Sequence, residues 1–202
     1  MAVAVEGGLA LAAVVLAWLF RVSLRDQFPT SGGQTASAIW RGFLATLPML
    51  AAFVFVVKSR SQPFRQLREQ VEWLVREMFP TGNVAQFAMV AALAGIGEEL
   101  LFRGVIQTKL GDWMTPLIGL CLTSFLFGLA HALSKLYFAF AIIVGAFLGW
   151  LSLHYHDLVA PMVAHGLYDF VALVYLSKSA LPRSLDGDDS DSAAPNNEPS
   201  PY

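Results

Sequence analysis

Six ionisable side chains sit inside the last four apolar runs of this sequence: Glu98, Glu99, Arg103, His131, His165 and Asp169. They fall in three short patterns, Glu-Glu-x-x-x-Arg at 98–103, Phe-x-x-x-His at 127–131 and His-x-x-x-Asp at 165–169. A charged group at bilayer depth costs roughly 2.5–3.5 kcal/mol on insertion-derived scales, so such residues need partners and a purpose. Carboxylates and imidazoles together can activate a water molecule and stabilise an oxyanion. Hydrolysis of an acyl bond is the natural reaction for such a set.

Helical spacing divides the first pattern. Glu99 and Arg103 are i,i+4 neighbours with the acid on the N-terminal side, the favourable order for an ion pair. Glu98 is rotated by about 100° from Glu99, faces elsewhere and needs a partner on another helix. Arg103 is thus most simply structural: it neutralises Glu99 and leaves Glu98 as the reactive carboxylate, with His131 and His165 as the expected partners. A carboxylate held away from water is a stronger base than a solvated one. Phe127 and His131 lie one turn apart on one face, as do His165 and Asp169. Bundle-holding pairs across helices would account for one Glu–Arg pair. Six such groups on three helices, with no other Asp, Glu, Lys, Arg or His in those runs, point to chemistry.

The elements that must position these groups are apolar helices. The chain has 202 residues, 56% hydrophobic and only 14% charged, against about 25% charged in soluble domains. An all-α, polytopic membrane helical bundle is expected, with about six transmembrane helices: Val3 to Phe20, Ile39 to Val57 with Pro48 as a kink, Val84 to Ile106, Leu117 to Leu133, Leu136 to Leu153, and Leu158 to Leu176. The only early charge is Glu6, and Arg21 and Arg25 follow the first run, the reverse of a secretory signal, so a retained membrane segment is expected. Between the second and third runs, Phe64, Leu67, Val71, Leu74 and Met78 repeat at helical spacing among arginines and glutamates. That predicts an amphipathic helix in the headgroup plane, either a cap on the bundle or a guide for substrate. Gly145 and Gly149 form a face for close helix packing. Cys121 reads as a small packing residue, and His154, His156 and Asp157 as interfacial polar residues.

The bundle is assigned to residues 1–180 and a disordered acidic tail to 181–202. From Pro182 onward, Arg183 against Asp186, Asp188, Asp189, Asp191 and Glu198 leaves a net −4, so the remainder carries +2 of a total of −2. No basic block suggests nucleic acid. Arg21 and Arg25 favour a cytoplasmic first connection, and Lys58, Arg60, Arg65, Arg68 and Arg76 favour the same for the second. These conflict if the second run spans, so the charges assign no orientation. There is no His-Glu-x-x-His, Gly-x-Ser-x-Gly or Gly-x-Gly-Asp, which argues against zincin-like, rhomboid-like and presenilin-like sites.

The three patterns resemble the CPBP family, the CAAX prenyl endopeptidases and bacteriocin-processing (Abi) intramembrane proteases. Glu98-Glu99-Leu100-Leu101-Phe102-Arg103-Gly104 is similar to its first motif, Phe127 to His131 to its second, and Val163-Ala164-His165-Gly166-Leu167-Tyr168-Asp169, preceded by Ala160-Pro161, to its third. The resemblance covers a protease-like core at about 84–176. It implies a multi-pass protein of the cell membrane whose partners are the lipid bilayer and a membrane-bound peptide or protein substrate. It further implies that Glu98 and His131 activate water, and that His165 and its i+4 partner stabilise the oxyanion. The family commonly has Asn where this chain has Asp169. An ionised Asp would repel an oxyanion, so Asp169 is expected to be protonated or to orient His165 through a hydrogen bond. The family is often named as metalloproteases, but its better-supported picture is a metal-free glutamate mechanism, and no cofactor is favoured. Zinc on Glu98, His131 and His165 is the alternative. Rival readings are a non-catalytic immunity or scaffold protein of the same fold, and a small proton or metal transporter.

Overall fold

The structure is a computed structural model that describes residues 2–179. The acidic tail expected at 181–202 lies outside the described residues. Among those described, every regular element is helical: α1 (Ala2–Phe20), a short 3-10 turn (Arg25–Gln27), α2 (Gly32–Lys58), α3 (Gln62–Met78), α4 (Val84–Glu99), a π-helical segment (Leu100–Gln107), α5 (Thr108–Trp113), α6 (Pro116–Ala130), α7 (Lys135–Tyr155) and α8 (Val159–Ser179). Five helical stretches are long and apolar enough to cross a membrane: α1, α2, the continuous run Val84–Trp113, α7 and α8. The all-α polytopic bundle read from the sequence is therefore the observed architecture.

Local chemistry sets the helix ends. Ser31 caps α2 by accepting from the Gln34 backbone N–H. The Ser-Gly-Gly read as part of a connection is therefore a cap and first turn, and α2 begins earlier than expected. Its 27 residues span about 40 Å at 1.5 Å per residue. Asn83 and Gln86 form a reciprocal capping box that starts α4, satisfying amide groups that have no partner within the helix. Pro161 sits in the first turn of α8, where its missing N–H costs no helical bond.

Two elements depart from expectation. Leu100–Gln107 is π-helical rather than α-helical, and the Thr108 hydroxyl donates to Arg103 O at 3.1 Å across the widened turn. The fourth expected span, α6, has only 15 residues, about 22 Å, short of a hydrocarbon core roughly 30 Å thick. It ends at Ala130 because His131 leaves helical geometry and closes the helix as its C-cap.

The bundle closes on small residues, as expected where lipid supplies no hydrophobic drive between helices. Ala13 and Ala17 of α1 pack with Leu101 and Val105. A Cβ at Gly95 of α4 would lie 2.7 Å from Met162 O and 2.8 Å from Gly166 N of α8, so the two helices cross at near backbone contact. Large apolar side chains such as Trp18, Leu47, Phe55 and Ile143 face outward, toward lipid in this reading. Cys121 is also exposed on α6, so it is not an interior packing residue.

The amphipathic α3 packs against α2, α7 and α8. It buries Leu67 and Val75, while Arg65 and Arg68 lie 3.9 and 3.8 Å from Glu69 and Glu72. Asp157 caps α8 through Ala160 N at 2.8 Å and lies 3.9 Å from Arg41. His154 stacks on Trp150 at 4.9 Å. These contacts give the 154–157 cluster structural duties.

Candidate active site

The close crossing of α4 and α8 brings the first and third patterns together. Glu99 is fully buried and Arg103 is 1% exposed. Arg103 Nη1 donates to Glu99 Oε1 at 2.6 Å, the pair anticipated from i,i+4 spacing. Arg103 Nη2 donates to Gly145 O of α7 at 3.0 Å. One turn on, Gln107 Nε2 donates to Gly149 O at 3.0 Å.

The two glycines of α7 thus do more than permit packing. Their lack of side chains exposes carbonyls to the polar groups of the π-helical segment. A Cβ on Gly149 would collide with the Gln107 side-chain oxygen. Gln107 is buried yet not ionisable, so a search for charges passes over it.

The guanidinium also lies over the Phe127 ring, with Cζ 4.4 Å from its centroid. The His131 ring centroid lies 4.4 Å from that of Phe127, with the two rings tilted by 30°. Phe127 therefore contacts both the Arg103 cation and the His131 imidazole, which gives the aromatic in the second pattern a physical task.

His131 stands at the end of α6. Its Nδ1 lies 2.8 Å from Phe127 O. A carbonyl only accepts, so Nδ1 carries the proton and the neutral ring presents a bare Nε2. That Nε2 is 3.6 Å from Glu98 Oε2, and Glu98 Oε2 has no hydrogen-bond partner among the described residues.

His165 departs from expectation. It does not pair with Glu98. Its Nδ1 lies 2.8 Å from Glu99 Oε1, and its Nε2 is 3.3 Å from Asp169 Oδ2. Glu99 therefore bridges Arg103 and His165 through one oxygen, and His165 is held between two carboxylates. Asp169 is placed where it can orient His165, one of the two arrangements weighed for an acid at that position.

The alternative zinc set fits poorly. Both ring nitrogens of His165 are engaged by carboxylates, so it offers no free lone pair to share with Glu98 and His131. Among the described residues, no group of three or more His, Cys, Asp or Glu is arranged to hold a metal ion.

Glu98, His131, His165 and Asp169 line a cavity of about 240 Å3 that continues between α2, α3 and α8 along Phe53, Val57, Val71 and Leu173. Tyr137, Tyr168 and Glu6 also line it. Glu6 was not among the site candidates. It stands alone at the start of α1, and no local pattern ties it to the later motifs. α3 forms part of the cavity wall through Leu67, Arg68 and Val71, so it does more than cap the bundle.

No curated protein and no solved structure matches the chain. One family model does, that of the Rce1-like type II CAAX prenyl endopeptidases, over residues 80–171. The matched stretch starts in the turn before α4, ends within α8 and carries all three polar patterns. The chain is a multi-pass membrane protein whose residues 80–171 match the Rce1-like family model, which supports the resemblance to the CPBP-type, CAAX-type intramembrane proteases.

Proposed function

We propose that the chain is an intramembrane endopeptidase that hydrolyses peptide bonds of membrane-associated peptides or proteins without a metal ion, in the cell membrane, with its catalytic core at 84–176. One observation carries this reading. The bare Nε2 of His131 and the unpartnered Oε2 of Glu98 face each other across 3.6 Å at the cavity wall. Two acceptors held this way suit one water molecule that donates a hydrogen to each, leaving its lone pairs free to attack.

In this mechanism the water oxygen bonds to the scissile carbonyl carbon as its proton passes to Glu98. The carbonyl π-electrons move onto oxygen, and the tetrahedral oxyanion receives a hydrogen bond from His165 Nε2–H, which turns from Asp169 to the oxyanion as it forms. Reforming the carbonyl breaks the C–N bond, and Glu98 returns the proton to the departing amine. The products are a carboxylic acid and an amine, and Glu98 ends as it began. Glu99 acts through His165, fixing its ring from the Nδ1 side, while Arg103 balances the Glu99 charge. Asp169 steadies Nε2 from the cavity side. The apolar walls suit a lipid-like anchor on the substrate, in keeping with the prenyl endopeptidase description of the family.

The test is reconstituted protein given a peptide library, with products read by mass spectrometry for the wild type, Glu98→Gln and His131→Ala. Loss of cleavage in both variants supports the mechanism. Retained cleavage by both overturns it. An immunity or scaffold role would survive Glu98→Gln unchanged.

A further inference from the structure

We propose that Glu6 is a specificity-determining residue of the same cavity, recognising a basic side chain next to the bond to be cleaved. This rests on the reading of the cavity as a substrate site. Glu6 is the only acid of α1 and lies outside the family-matched core. α1 is held tightly there: a Cβ at Gly97 would meet Glu6 O at 2.7 Å and Ala10 N at 3.3 Å. The backbone carrying Glu6 is thus pressed against the turn preceding Glu98, and the Glu6 side chain lines the cavity with Glu98. Its Oε2 is buried without a hydrogen-bond partner among the described residues. It is close enough to interact electrostatically with Glu98, Asp169 and His165.

A group of acids is not in itself a binding site. Here a second observation points to a ligand: Glu98, only 7% exposed, also presents an unpartnered oxygen in the same cavity. The charge balance decides the ligand's sign. At this end the cavity gathers the carboxylates of Glu6, Glu98 and Asp169 against the imidazole of His165, which Asp169 and Glu99 already face. The nearby guanidinium of Arg103 is turned to Glu99 and Gly145. The lysine- or arginine-type cation lining the cavity is Arg68, which donates to Val57 O at 2.7 Å and lies 3.8 Å from Glu72. Glu98 is committed to water and Asp169 to His165, which leaves Glu6 without a task in the mechanism. A half-buried carboxylate with one oxygen lacking a hydrogen-bond partner favours a substrate cation, and it disfavours an acid at the same place.

The test uses the full chain in lipid nanodiscs with empty nanodiscs as the blank. A fluorescein-labelled, leucine-rich decapeptide carries Lys, norleucine or Glu at one central position, and binding is read by anisotropy. The wild type is expected to bind the Lys peptide roughly tenfold or more tightly than the norleucine peptide, and the Glu peptide most weakly. Glu6→Gln should remove the Lys preference, and Glu6→Asp should keep part of it. An unchanged Lys-to-norleucine ratio in Glu6→Gln, or no Lys preference in the wild type, overturns the proposal. The wild-type comparison decides even if Glu6→Gln does not fold. Cleavage of the same peptides is scored separately. A Glu6-dependent Lys preference without any cleavage upholds the Glu6 assignment and refutes the endopeptidase reading.

Discussion

Replacing Arg103 by Met tests whether the buried ion pair holds the site together. Met keeps much of the side-chain volume but removes the charge. Glu99 would then lose the 2.6 Å bond from Arg103 Nη1 while remaining fully buried. Breaking one partner from a buried pair typically costs about 3–5 kcal/mol, because the remaining charge is left uncompensated. Losing the bond to Gly145 O adds about 1 kcal/mol, and losing the contact over the Phe127 ring adds up to about 2 kcal/mol. These terms overlap, so about 4 kcal/mol is the expected total, close to a thousandfold fall in the folded-to-unfolded ratio. Reversible unfolding in mixed lipid–detergent micelles, followed by tryptophan fluorescence, would measure it. Glu99→Gln combined with Arg103→Met should recover at least about 2 kcal/mol relative to additivity, since the amide oxygen can still accept from His165. A loss below about 1 kcal/mol for Arg103→Met, or strict additivity in the double variant, would refute the structural role given to the pair.

Other changes probe the geometry more locally. Gly95→Ala places a Cβ 2.7 Å from Met162 O, so it should cost about 1–3 kcal/mol and lower turnover by parting Glu99 from His165. Asp169→Asn keeps an oxygen that can face His165 Nε2 and should retain most of the turnover, whereas Asp169→Leu should lose it; equal activity in both would remove Asp169 from the account. Chelators such as 1,10-phenanthroline should leave peptide cleavage unchanged, and inhibition reversed by added zinc would contradict the metal-free mechanism.

How far the sequence foretold this arrangement depends on whether a contact is local. The Glu99–Arg103 pair follows from i,i+4 spacing and is present as read. The pairing of His165 with Glu99 rather than Glu98 depends on where α4 and α8 cross. That register is set by Gly95 meeting the backbone of Met162 and Gly166, and no single motif contains it. The π-helical turns carry no composition of their own. They occur where Arg103 and Gln107 reach across to the α7 carbonyls, a long-range contact. α6 reads as a full span because hydropathy continues to Leu133. The His131 side chain instead bonds Phe127 O and closes the helix early. Glu6 belongs to no local site pattern, because its significance lies in the Gly97 turn that α1 packs against and not in the residues around it.

The division of the adjacent acids is the centre of the account, with Glu98 for chemistry and Glu99 for structure. The most direct measurement is the single-turnover rate of peptide cleavage by folded Glu98→Gln protein in vesicles. Because Glu98 Oε2 has no hydrogen-bond partner among the described residues, removing its charge should leave stability unchanged or slightly raised, while cleavage falls by about a thousandfold or more. Cleavage near the wild-type rate by a folded Glu98→Gln protein would contradict the account.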